Sequence, residues 1–189
     1  MNPQIPRPMK KILITKSDLD KDNRYTGKEI LSDWGNPFDG SIEIEENLGY
    51  VSFEKSIVVK GSITAKAGSG IKAGEGIKAG WGIEAGSGIE AGWGIKAGEG
   101  IKAGWGIVSL YSWIKAKLSI SINVKCTIAA GIFSLSGAQD VEAQEIVGAI
   151  CYGNIKILPK EEAARKSESL SGKSVKVVVD GKEYEAVIK

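Results

Sequence analysis

The chain has 189 residues, enough for one domain and a small accessory element, and its net charge of +2 is too small to point to a nucleic-acid partner or an anionic membrane. It contains no histidine, which excludes Ser-His-Asp triads, Cys-His pairs and histidine-ligated zinc. No stretch approaches the roughly 18 to 20 apolar residues of a membrane-spanning helix, and the first eleven residues carry three prolines and no apolar run, so a soluble, cytoplasmic protein without a signal peptide is expected.

In chain order, residues 10–15 (Lys-Lys-Ile-Leu-Ile-Thr) predict a strand, and residues 17–27 a polar, acidic loop. Thr26 can cap a short helix over 28–33 that Gly35 ends. Residues 41–45 alternate as Ser-Ile-Glu-Ile-Glu and predict a strand, with two more over 50–53 and 56–60. Within the acidic loop, Asp18, Asp20, Asp22 and Glu29 stand at positions 1, 3, 5 and 12 of a calcium-loop spacing, with Asn23 where glycine is usual. A strand rather than a helix precedes them, so the competing expectation is a solvated acidic turn and no cofactor.

Glycine is the outlier at 25 residues, and most of it lies in one periodic block, which makes it architectural. From Ile71 to Ile107 isoleucine returns every six residues in an Ile-x-Ala-Gly-x-Gly unit, the second position being Lys or Glu and the fifth Glu75, Trp81, Ser87, Trp93, Glu99 and Trp105. In an extended Ile-Lys-Ala triplet, Ile and Ala share a face. Gly-x-Gly then turns the chain, which is expected to exploit glycine's access to positive φ. A lone unit cannot bury its isoleucine, whereas stacked units bury a continuous Ile/Ala column. A β-solenoid follows, and two glycines per unit oppose a helix.

Coil size is open between two units per turn (12 residues) and three (18 residues). The variable positions repeat every twelve. A 12-residue coil would stack Lys72, Glu84 and Lys96 in one alternating column and Lys78, Glu90 and Lys102 in another, and would gather Trp81, Trp93 and Trp105 in a third. Cross-strand pairs of this kind favour the 12-residue coil, because an 18-residue coil sets Lys78 on Lys96 and scatters the tryptophans.

After Ile107 the chain alternates strictly through Ile128, which predicts a long half-buried strand, bent or continuing the solenoid in longer rungs. Cys126 and Cys151 lie in apolar surroundings and are expected as buried thiols, a disulfide between them staying open. Pro159 opens a polar helix over 160–170, and residues 175–179 and 184–188 flank Asp180-Gly181 as a β-hairpin. The expected architecture is mainly β: an α/β N-terminal cap over 1–56, a solenoid and long-strand core over 57–158, and a C-terminal helix and hairpin over 159–189.

The unit Ile-Lys-Ala-Gly-Glu-Gly-Ile-Lys-Ala-Gly-Trp-Gly resembles short-repeat β-solenoids. Hexapeptide-repeat acyltransferases share the aliphatic residue every six, but keep a small inward residue four positions later, where this chain has Glu, Trp or Ser. Bactofilin-like polymer-forming proteins look closer in texture, though their solenoids fill most of the domain and lack long folded caps. The compact size, caps and near-perfect local duplication also resemble proteins of phages and mobile elements, among them anti-defence inhibitors such as anti-CRISPR proteins.

Glu75 with Glu99, or Glu84 with Glu90, is a candidate carboxylate pair for glycoside hydrolysis, but repeating charges on a solenoid are more simply solvated surface. A non-enzymatic interaction protein is therefore expected, binding a protein partner through Trp81, Trp93 and Trp105 with Lys78 and Lys102 at the rim. A structural polymer and a carbohydrate- or nucleic-acid-stacking binder are the alternatives. Nucleic acid is disfavoured because the repeat's lysines are balanced by its glutamates.

Overall fold

The computed structural model describes residues 9–27, 30, 35–122 and 127–160, and the backbone of two strands at 174–179 and 182–187. The chain divides into two units, Met1–Leu158 and Pro159–Lys189.

The first unit is a parallel β-solenoid with three faces. The first face is a seven-stranded sheet that begins with Lys10–Ile14 and Gly40–Ile44 and ends with Glu145–Val147. The second face has six strands, from Gly49–Phe53 to Ala149–Tyr152, and the third has six, from Ile57–Val59 to Asn154–Ile157. The chain visits the faces in that order, and every pairing within them is parallel.

The register settles the coil size. Ile71 lies opposite Ile89, Ile77 opposite Ile95 and Ile83 opposite Ile101, an offset of 18 residues. The expected 12-residue coil is thus replaced by an 18-residue one. Two facts explain the difference. The charge pairs that favoured twelve lie at the surface, where each is worth about 0.2–1 kcal/mol, whereas each buried isoleucine contributes about 1.5–3 kcal/mol in any closed coil. The corners then decide: none of the repeat's corner glycines takes a positive φ. Without that conformation a three-residue corner bends the chain without reversing it, and three such bends close a coil.

The glycines serve a different purpose from the one expected of them. A Cβ on the fourth-position glycines Gly74, Gly80, Gly92, Gly98 or Gly104 would overlap the carbonyl oxygen of the corner one coil earlier. Here the backbone itself stacks on backbone, with Gly92 N–H donating to Ala73 O and Gly98 N–H to Ala79 O, each at 3.1 Å. Glycine is required for space.

Inside the prism the first-position isoleucines stack in continuous columns, such as Ile12, Ile42, Ile63, Ile83, Ile101, Ile120 and Ile146 on the first face. The repeat's isoleucines and alanines are all buried. A large and a small inward residue alternate on each of three short strands, and together they line a triangular section.

Both flanks of the repeat belong to the same sheets. Strands at 10–14, 40–44 and 49–53 are solenoid rungs, so the solenoid begins inside the segment expected as a separate cap. The connection between the first two strands covers two faces at that end: Arg24 pairs with Ser52, Phe38 with Val59, and Ile30 is buried against the core. The expected helix over 28–33 lies outside the described residues. On the far side the expected long strand is broken into rungs, Ile114–Ala116, Ser119–Ile122 and Thr127–Ala130, on three different faces. The period-two alternation is real, but corners interrupt it. Cys151 is exposed rather than buried, because its strand is the outermost of its sheet; Cys126 lies outside the described residues.

In the second unit, Ser174–Val179 pairs antiparallel with Lys182–Val187, with Val179 opposite Lys182, as a two-residue Asp-Gly connection requires. The expected helix over 160–170 lies outside the described residues.

Glu43 ties three levels of the first face together, accepting from Lys11 and, at 2.7 Å, from Lys66. These two ammonium groups, Lys11 foremost, pull its carboxyl from an ordinary 4.5 down to about 2. A depressed carboxylate stabilises the fold above its unfolded pKa, and that contribution fades as pH falls toward the folded value. Glu43→Gln should therefore melt below the parent at neutral pH, and the gap should close between pH 4.5 and about 2. The corners make a second prediction. Gly98→Ala should cost about 1–3 kcal/mol through overpacking, whereas Gly82→Ala, whose Cβ would stand 3.5 Å from Gly100 O, should be nearly neutral. Equal losses in thermal melts would show that conformation, not space, selects these glycines.

Candidate functional site

With the 18-residue coil the expected tryptophan column does not exist. Trp81 sits on the corner between the third and first faces, where its N–H donates to Gly61 O and its carbonyl accepts from Glu99. Trp93 sits on the corner between the second and third faces, its N–H on Glu75 O. Trp105 sits on the remaining corner, its N–H on Ser87 O. The three rings therefore point from three different edges of the prism. Their two expected rim charges also part: Lys78 is on the third face and Lys102 on the first, where it pairs with Glu84 at 3.0 Å.

The corner that carries Trp93 builds a different aromatic row. Eighteen residues after Trp93 comes Tyr111, whose N–H donates to Gly92 O at 2.9 Å, and on the next coil Phe133 donates to Leu110 O at 2.8 Å. The ring centroids of Trp93 and Tyr111 are 6.1 Å apart, and those of Tyr111 and Phe133 are 6.0 Å apart. All three side chains are about half exposed or more: 61%, 49% and 59%. Ile132 and Leu135, close to Phe133 in the chain, are exposed as well.

Phe133 reaches this position because the coil bulges there. Gly131 and Gly137 both adopt positive φ, at 77° and 81°, in a loop that spans 131–139. Gln139 holds the loop from within, its amide donating to Ser134 Oγ and Gly137 O, each at 3.1 Å. The row is thus anchored by backbone ladder bonds at each rung and by a pinned loop at its end.

The two carboxylate pairings do not assemble. Glu84 is on the first face bonded to Lys102, and Glu90 is on the second face bonded to Lys72 at 2.9 Å. Glu75 and Glu99 stand on different corners, and Glu75 accepts from Ser56 Oγ.

The acidic loop uses its oxygens on itself. Asp18 accepts from Thr15 N at 2.8 Å and Thr15 Oγ1 at 2.9 Å, a capping box for the short 3-10 turn Lys16–Asp18. These bonds hold its pKa below the usual carboxylate range. Asp20 Oδ1 accepts from Asp22 N and Arg24 N, each at 2.9 Å, and its pKa is lowered as well, the Arg24 bond contributing most. Asn23 takes the left-handed turn, φ 57°, and donates to Leu48 O. Leu19 and Tyr25 pair antiparallel across the loop. Glu29 lies outside the described residues, and among the described residues no three metal-ligating side chains converge.

Comparison with protein-family models, with curated proteins and with solved structures found no match. Among the described residues, no helix is long and apolar enough to cross a membrane.

The loop geometry predicts that calcium will leave the melting temperature where magnesium leaves it. A rise specific to calcium would mean that Asp18 and Asp20 give up these bonds for a metal.

Proposed function

We propose that the chain is a non-enzymatic interaction module that binds a protein partner along the Trp93–Tyr111–Phe133 corner. The exposed aromatic row carries this conclusion. Aromatic residues dominate binding hot spots, and their ordering cost is prepaid when a rigid backbone holds them. A contiguous exposed apolar strip is also uncommon on a solitary soluble chain. The rings are tilted against one another by 40° and 51°. They present an irregular apolar ridge, which suits a protein groove better than the coplanar stacking used for sugars or bases.

The concrete form suggested by the sequence texture is an inhibitor from a phage or mobile element, acting on a host defence protein in the cytoplasm. The polymer-forming alternative is weakened by the N-terminal end, where Arg24 and Phe38 pair with the first strands of the second and third faces and so occupy edges that a head-to-tail neighbour would need.

The test compares captures from host lysate by the parent chain, by Trp93→Ala/Tyr111→Ala/Phe133→Ala, and by Trp81→Ala/Trp105→Ala. The ladder variant should remain folded by circular dichroism and lose the captured protein, with a loss of at least about 2 kcal/mol in affinity as hot-spot truncations give. The two-tryptophan variant should keep it. Capture that survives the ladder variant would remove the site.

A further inference from the structure

Two faces of the solenoid stack opposite charges. On the second face Lys72 lies beside Glu90, and on the first Glu84 beside Lys102, each pair bonded at about 3 Å. The third face does the reverse. Lys78 is in direct register with Lys96, and Lys96 with Lys115, so three ammonium side chains occupy three successive rungs. Like charges directly opposite one another oppose pairing, and the strand spacing of about 4.8 Å leaves them little room to separate. Among the described residues Lys96, the middle one, is exposed and makes no ion pair.

The column is short and bounded. Val58 precedes Lys78 on the face, and Glu142 follows Lys115, bonding it at 3.2 Å and Lys156 at 3.1 Å. Beside it, the half-buried Trp113 lies over Gly94, with Lys115 Nζ 5.7 Å from the ring centroid. The aromatic corner borders the same face, since Tyr111 and Trp113 lead directly into its strand Ile114–Ala116.

We propose that the lysine column of the third face docks an acidic, carboxylate-rich segment of the same protein partner. This deepens the interaction assigned to the aromatic corner and rests on it for the partner being a protein. Like charges held in register favour an anion alongside them, and among the described residues Lys96, at the centre of the column, offers an exposed ammonium with no ion pair of its own. The repeat elsewhere places glutamate at this position, so the compensating residue was within its repertoire. Two boundaries favour a polypeptide over a nucleic-acid strand. Glu142 ends the positive path after three lysines, and Glu75 and Glu99 stand on the corners to either side. A phosphate backbone needs a longer unbroken track.

The probe is a fluorescein-labelled hexaglutamate peptide, followed by anisotropy against the full chain. It should bind, weaken as salt rises, and bind tighter than an oligothymidylate of equal charge. Lys96→Glu should weaken it about fivefold or more, since reversal removes one attraction and adds one repulsion. The same substitution should raise the melting temperature of the free protein by converting the column to alternating charge. Lys96→Gln should fall between on both measures, and Lys102→Gln should leave peptide binding unchanged. The ladder variant should still bind hexaglutamate, which separates this site from the aromatic one. No binding of hexaglutamate, binding indifferent to Lys96→Glu, or tighter binding of the oligothymidylate would each overturn the proposal.

Discussion

The whole solenoid depends on the close approach of successive corners. Isoleucine columns drive the coils together, and within the repeat the corners meet backbone on backbone, which the fourth-position glycines make possible. Once the corners are fixed, the ladder bonds at each rung and the triangular section follow. The inward Ile/Ala pattern is the same on all three faces, so the interior places few demands on what the second and fifth positions carry outward. Those outward positions are where the three faces and corners become different from one another.

Surface chemistry in such a prism is written by coil length. The same lysines and glutamates that alternate at a spacing of twelve sort, at eighteen, into two faces where opposite charges stand in register and one where lysine stands on lysine. The same tryptophans that would line one edge are divided among three. Among the described residues, the corner with Trp93 recovers an aromatic neighbour on the next coil, because Tyr111 and Phe133 follow at the right offsets. The objection that lysine and glutamate cancel along the repeat holds for the sequence as a string and fails for the third face as a surface.

How far the fold was legible follows from this. The period of six, the inward Ile and Ala, the early strands and the C-terminal hairpin are local patterns, and local patterns survive folding. Coil length is not local. It rests on the bend angle of a Gly-x-Gly corner, and either two or three bends satisfy the hydrophobic period. In the sequence, weak surface pairs favour twelve. The functional residues inherit that dependence: Trp93 stands out by its place in the repeat, Tyr111 falls within an alternating stretch that reads as strand, and Phe133 gains its role through the 131–139 loop that lifts it onto the corner. An 18-residue spacing between Trp93 and Tyr111 was the one available clue, and it becomes visible only when the corner is read across the end of the repeat.

The near-identity of the three inner columns has an evolutionary edge. Loss or gain of a single hexad leaves every isoleucine facing inward, yet advances all later surface residues by one face, carrying Tyr111 away from Trp93. Removal of three hexads shortens the prism by one storey and keeps downstream faces aligned. The inward positions that depart from the repeat, Phe53, Val59, Ser109, Ile122 and Val141 in place of its alanines and isoleucines, are then what index the threading, since a slipped chain would meet the wrong side chain there.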